Sequence, residues 1–374
     1  MASDLPGHAL FATAARGTEG ALRDELREIR VRGVRADRGG VHFRGSLDDA
    51  ARVCLHSRIA MRVLVELGAF EAPSPQALYD GVRGLDFSPY LTPEHTLAVR
   101  ATCNASTMTH TQFIAQKTKD AIVDTQRDRF GSRSSVQRDT PDVRIHVHLV
   151  RDRATIYVDA AGESLHRRGY RTHVTAAPIK ETLAAALLRL GGWDRERPLC
   201  DPMCGGGTIA IEADLWARRV APGLERSFGL ERWACHDDDA RRRMTELRES
   251  ARAGELARGP DVFGFDADPA AVEVAMHNAA RVRTRVHLGQ RSVDELEPFD
   301  PPGMIACNPP YGERLDADRA FYREMARALD RLRGHRVAVL AGSPDIVRAL
   351  PRVPRAQTLW NGDIECRLVA YDVE

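Results

Sequence analysis

From residue 178 to the end, short apolar runs alternate with stretches of helical periodicity, and that alternation leaves few architectures open. A helix over Lys180 to Leu190, rich in Ala and Leu, is closed by Gly191-Gly192. Strands follow at Pro198 to Cys200, Val262 to Phe265, Arg285 to Gly289, from Ile305, and at Arg336 to Leu340. Between them lie helices at Thr208 to Arg218, Ala270 to Val282 and Arg319 to Leu332. Strands and helices taking turns at this spacing predict an α/β fold with a parallel, doubly wound sheet. The tail departs from the rule. Gln357 to Trp360 and Ile364 to Tyr371 flank Asn361-Gly362, a strong hairpin signal. The last strand should therefore run antiparallel to its neighbour. Residues 219–258 read as a charged, mostly helical insertion.

Open α/β sheets bind ligands outside the carboxyl ends of their strands. The first strand leads into Asp201-Pro202-Met203-Cys204-Gly205-Gly206-Gly207-Thr208. Gly205 and Gly207 let the backbone turn tightly and approach a ligand. The helix opening at Thr208 offers free N–H groups to a carboxylate, while Asp201 can accept from an ammonium. Together they suit an amino-acid headgroup, such as that of S-adenosylmethionine. A dinucleotide site wants Gly-x-Gly-x-x-Gly, but position 210 is Ala. Asp266 ends the second strand, where an acid accepts from ribose hydroxyls. Asp268, before Pro269, can equally cap the next helix. Asp294, past the third strand, can accept from an adenine amine or serve as a loop acid or cap.

The fourth strand halts at Asn308-Pro309-Pro310-Tyr311. Two prolines stop the ladder and stiffen the loop. An amide, a carbonyl on a rigid backbone and an aromatic ring can hold a planar NH2 group. Taken alone, the same four residues also fit a plain turn after a core strand.

The N-terminal half reads as two smaller units. Residues 9–15 are apolar, Thr18 to Arg30 is helical, and Val34 to Phe43 holds two strands around Asp37-Arg38-Gly39-Gly40. A helix at Asp48 to Ser57 and a strand at Arg58 to Leu67 complete a β-α-β-β-α-β order, a ferredoxin-like module over residues 1–70. After Pro73 and Pro75, a short helix (Gln76 to Asp80), a strand (Leu97 to Ala101), a long helix (Thr109 to Arg129) and two strands (Val143 to Leu149, Ala154 to Asp159) form a second α/β module over 71–165. Residues 166–177 then link to the domain at 178–374. In this exit Arg167, Arg168, Tyr170 and Arg171 interleave cations with a ring. Such a stretch can contact RNA phosphates and bases. It can equally be a linker whose arginines pin it to both neighbours.

Composition narrows the classes. Net charge is +1, so no basic footprint announces nucleic acid. The halves differ: residues 1–180 hold 26 Lys+Arg against 21 Asp+Glu, and the remainder 28 against 32. That permits a polyanion-facing N-terminal half without requiring it. The seven cysteines form no Cys-x2-Cys pair, which argues against a zinc site and a disulfide framework. No apolar run reaches membrane-spanning length, and Met1 to Pro6 lacks the pattern of a secretory signal. The expected compartment is the cytoplasm, with no metal and no membrane partner. Oligomeric state is not legible.

Taken together, these strand ends resemble those of class I amino-methyltransferases, which also close a parallel sheet with a C-terminal hairpin. Over nearly the whole chain the sequence is similar to the THUMP-domain RNA methyltransferases. Asp142-Val-Arg-Ile-His-Val-His-Leu149, Gly162 to Arg171 and Ala177 to Leu188 resemble the end of their THUMP region, its exit and the helix entering their catalytic domain. The nearest group is the guanine-N2 methyltransferase half of the bifunctional bacterial enzyme acting on 23S ribosomal RNA, and this sequence contains one such catalytic domain. The resemblance implies S-adenosylmethionine as cofactor, bound by Asp201, Pro202, Gly205, Gly207, Thr208, Asp266, Asp294 and Asn308. It implies Asn308, Pro309, Pro310 and Tyr311 as the catalytic loop, with Tyr311 stacked on the base. The implied substrate is RNA, 23S rRNA before tRNA. DNA adenine-N6 and protein glutamine-N5 methyltransferases share the loop, but the N-terminal half disfavours them. A catalytically silent RNA-binding protein of the same fold is the alternative from another class.

Overall fold

The computed structural model describes residues 7–171, 179–311, 319–351 and 356–374. Gly312, His173 and the Ala177-Pro178 start of the resemblance at the domain entry lie outside them.

The N-terminal half builds one continuous sheet. Its first unit runs β1 (His8–Thr13), α1 (Glu19–Glu28), β2 (Arg32–Asp37), β3 (Gly40–Gly45), α2 (Leu47–His56) and β4 (Arg62–Glu71). The second runs α3 (Pro75–Arg83), β5 (Thr96–Asn104), α4 (Thr111–Phe130), β6 (Ser135–Val136), β7 (Val143–Val150) and β8 (Arg153–Asp159). Local chemistry sets the helix ends. Ser46 and Asp49 form a reciprocal capping box on α2, and Gly131, at φ 69°, closes α4. The strand order is β2-β3-β1-β4-β8-β7-β5-β6. Two units read separately in the sequence thus share a sheet, because the ten-residue β4 pairs antiparallel with β8 across a bulge between Glu66 and Gly68.

The C-terminal half runs α5 (Glu181–Gly191), β9 (Leu199–Asp201), α6 (Thr208–Ala217), α7 (Asp238–Ala253), β10 (Val262–Asp266), α8 (Pro269–Ala280), β11 (His287–Gln290), β12 (Met304–Cys307), α9 (Arg319–Asp330), β13 (Arg336–Ala341), α10 (Pro344–Ala349), β14 (Gln357–Asn361) and β15 (Ile364–Asp372). Its sheet is ordered β11-β10-β9-β12-β13-β15-β14. The first five strands are parallel, and β15 inserts antiparallel between β13 and β14. Strand order reverses between β9 and β12, so a crevice opens at their carboxyl ends. The α10 helix carries no strong periodic signal in the sequence.

The charged insertion has an apolar underside. Phe228 and Trp233 are buried in the N-terminal core, and Trp233 meets Tyr90 edge-on at 4.9 Å. Backbone bonds from Gly223, Leu230 and Cys235 reach Leu55, Ala160 and Pro89. The segment therefore straps the catalytic half to the N-terminal sheet. At Gly229 the approach is so close that a Cβ would lie 2.6 Å from the Asp159 carbonyl.

Candidate active site

Four neighbouring strands bring their carboxyl ends to one edge. Asp201 ends β9, Asp266 ends β10, Gln290 ends β11 and Asn308 follows β12. The Gly-rich turn is held from both sides. Gly205 and Gly207 take φ values of 51° and 80°, which favour glycine. The Gly205 N–H donates to Asp266 Oδ2 at 2.8 Å, and Asn278 donates to the Gly206 carbonyl at 3.0 Å. A Cβ on Gly207 would press on Ala275 at 3.1 Å, so this glycine also lets α8 pack closely.

Asp201 is 1% exposed, and the one hydrogen bond its carboxylate makes among the described residues is from the Met203 N–H, at 3.2 Å. Burial, with Asp266 nearby, pushes its carboxyl well above the usual carboxylate range. A buried acid so thinly partnered is suited to a ligand cation. Asp266 also accepts from the Asp268 N–H at 3.0 Å, while Asp268 caps α8 through the Ala270 N–H. Pro202 is buried beneath the turn. Thr208 opens α6 and accepts from Arg171 at 3.0 Å. These groups fit an amino-acid headgroup beside a ribose.

The loop after β12 is fixed by partners that the sequence does not advertise. Tyr322 donates to the Pro310 carbonyl at 2.9 Å. Tyr311 is 6% exposed, and its hydroxyl accepts from Asn361 Nδ2 at 2.8 Å. Burial pushes that phenol up to about 12. Gly342 lies flush beneath the ring: a Cβ there would sit 2.5 Å from three ring atoms. Pro309 is buried and Asn308 half-buried. Asn308 Oδ1 is closed off from solvent and has no hydrogen-bond partner among the described residues. A carbonyl left unpaired in a protein interior costs about 1–3 kcal/mol, and such an orphan at a strand-end crevice marks the place of a missing donor.

The expectations for four residues need correction. Asp294 does not join the strand ends. It is exposed, sits in a turn capped by Ser292 and Glu295, and accepts from the Ser292 hydroxyl. Its carbonyl takes the Arg331 guanidinium beyond the far end of α9. The residue that the fold does place beside Asp266 is Gln290. Tyr170 is fully buried and donates to Glu212 at 3.0 Å, so it cannot stack on a base. Arg168 is 6% exposed and donates to the carbonyls of Leu165 and Arg58. Arg171 is held by the Ile179 carbonyl, Thr208 and Glu181. These three pin the linker to both halves. Arg58 joins them beside Glu212, and burial pushes its guanidinium down to about 10. Arg167 alone of the four stays exposed, paired with Glu163 at 3.0 Å. Among the described residues no helix is long and apolar enough to cross a membrane, and no three acidic, His or Cys side chains group as metal ligands.

Sheet order, Gly-rich turn and proline-stopped loop define a class I methyltransferase domain behind a ferredoxin-like unit and a THUMP unit. The comparisons agree. The chain belongs to the RMKL-like methyltransferase-domain family, whose model matches residues 168–370. A THUMP domain matches 73–159, and an RlmL ferredoxin-like domain matches 9–64. The chain is similar to the ribosomal RNA large subunit methyltransferase K/L of Methylococcus capsulatus, at 44% identity over 97% of this chain and 51% of that protein. It is 38% identical to the enzyme of that name from Syntrophotalea carbinolica, over 97% of this chain and 53% of the relative. The chain thus spans about half the length of the curated relatives it matches. Among solved structures it resembles a methyltransferase complexed with SAH (TM-score 0.88, 31% identity, 98% of both chains). A Listeria monocytogenes chain named as an N6-adenine-specific DNA methylase gives TM-score 0.86 at 29% identity, over 97% and 96% of the two chains.

Proposed function

We propose that this protein transfers a methyl group from S-adenosylmethionine to the exocyclic N2 amine of a guanosine in 23S ribosomal RNA, in the cytoplasm. The observation that carries the reading is the orphaned Asn308 Oδ1 at the head of a rigid loop. The names of the curated relatives support the large-subunit RNA, and the THUMP match supports an RNA partner. Guanine over adenine rests on the family resemblance.

S-adenosylmethionine, when bound, supplies an electrophilic methyl group. Asp201 would accept from its ammonium, the turn at 205–207 and the first N–H groups of α6 would hold its carboxylate, and Asp266 would accept from its ribose hydroxyls. An exocyclic amine conjugated with a purine is a poor nucleophile. Asn308 Oδ1 and the Pro309 carbonyl accept its two N–H bonds, which localises the lone pair and aims it. The base must leave its helix to reach the loop. Tyr311, braced by Gly342 and Asn361, forms the wall against which the base stacks. Position and exclusion of water supply most of the rate. The methylated ammonium is acidic enough to lose its proton without a strong general base.

The test is to incubate total RNA with tritiated cofactor and fractionate it by size. The reading predicts label in the 23S fraction. Label confined to tRNA would move the substrate, and no label in any RNA would remove the activity.

A further inference from the structure

A cavity of about 380 Å³ lies between the N-terminal sheet and the catalytic half. Ala14, Arg16 and Met61 line one side, and Lys180, Thr182 and Trp360 the other. The two halves are locked around it. The Trp360 N–H donates to the Arg16 carbonyl at 3.1 Å, and the Arg16 guanidinium lies 3.9 Å over the Trp360 ring. Gln357 donates to the Gly17 carbonyl at 2.8 Å.

Three features point to an anion. The cavity meets the N-terminus of α5, whose N-cap, Lys180, makes no side-chain cap bond. Thr182, in that first turn, is 2% exposed, and its hydroxyl has no hydrogen-bond partner among the described residues. Among the described residues Arg16 and Lys180 form no ion pair, and Asp363 is the one acid that lines the cavity. The cavity is also one hydrogen bond from the catalytic loop, because its Asn361 is the residue that holds Tyr311.

We propose that this cavity holds one backbone phosphate of the RNA strand beside the methylated nucleotide. The proposal rests on the RNA reading above. Arg16 and Lys180 neutralise the phosphate, while the Thr182 hydroxyl and the first N–H groups of α5 donate to its oxygens. The N-terminal unit thereby takes part in placing the target base, since one wall of the cavity belongs to it.

The experiment measures binding of a protein-free 23S rRNA transcript to the full chain across a salt series, without methyl transfer. Arg16→Gln/Lys180→Gln should weaken binding about tenfold at 0.1 M salt and reduce the salt slope by about 0.7–0.9, the increment for one neutralised phosphate. Thr182→Val, nearly isosteric, should weaken binding about threefold without lowering the melting temperature of the free protein, since it removes an unpaired buried hydroxyl. Adenosylhomocysteine affinity, by calorimetry, should stay within twofold in all variants. An unchanged slope in the double variant overturns the proposal. So does a loss of adenosylhomocysteine affinity, which would mean that the cavity serves the cofactor's carboxylate. Wild-type protein that fails to bind the transcript sinks the RNA reading and the occupant together. Wild-type binding that both variants retain sinks the cavity alone.

Discussion

Gly342 follows β13 at the ligand edge and carries no chemistry, yet Gly342→Ala should disable the loop. A Cβ there would meet Cδ1, Cδ2 and Cε1 of Tyr311 at 2.5 Å. Ordinary carbon contacts lie near 3.5–4.0 Å, so the ring must retreat by about 1 Å. Retreat is obstructed, because the hydroxyl is tied to Asn361 at 2.8 Å and the ring is buried. Gly342 does not have the left-handed φ that would itself penalise alanine. The cost is therefore overpacking, about 1–3 kcal/mol of stability. For catalysis, a shift of about 1 Å in a positioning group can cost on the order of 100-fold. Steady-state kcat with rRNA should fall by about that factor, while calorimetric adenosylhomocysteine affinity stays within twofold. A kcat within threefold of wild type would refute the placement of the ring. An equal loss of cofactor affinity would mean that the damage spreads through the sheet edge.

Other predictions follow from the same contacts. Asn361→Ala and Tyr311→Phe should each lower kcat, but together cost little more than Tyr311→Phe alone, because Asn361 acts through the phenol; additive losses would separate them. Tyr170→Phe should lower stability by about 1–2 kcal/mol, since Glu212 loses a buried donor, and leave RNA affinity unchanged; weakened RNA binding at full stability would restore a stacking role. His166 is pushed down to about 4, chiefly by burial and next by Lys180. Its unfolded counterpart takes a proton near 6.5, so this contribution is present above that pH and lost as pH falls from about 6.5 toward 4. Urea midpoints at pH 7.5 and 5 should differ less in His166→Gln than in wild type; an equal difference would remove His166 from the account.

What the sequence made legible was local. Alternating runs and the Asn361-Gly362 turn carry the succession of strands and helices in the C-terminal half and its closing hairpin, because periodicity and turn chemistry are properties of adjacent residues, whereas the order of strands in the sheet is set by distant ones. Asp201 and Asp266 could be read from their places at strand ends. Partners distant in sequence could not. Whether Arg168 meets phosphate or a carbonyl depends on Arg58, 110 positions away. Tyr170 and Glu212 are 42 apart, and Asn361 and Tyr311 are 50 apart. Asn361 was visible as a turn residue but not as the anchor of the loop. Gly342 gave no signal, since only the fold puts a ring over it. The insertion at 219–258 reads as charged because its outer face dominates the composition, while Phe228 and Trp233 turn inward.

The central claim is that Asn308 and the prolines behind it hold a guanine amine for methyl transfer. Nucleoside digestion of 23S rRNA labelled by the wild-type protein and by Asn308→Ala tests it most directly. Wild type should yield N2-methylguanosine. The variant should turn over about 100- to 1,000-fold more slowly, with adenosylhomocysteine affinity unchanged. Label in N6-methyladenosine, or Asn308→Ala turning over at the wild-type rate, would contradict the account.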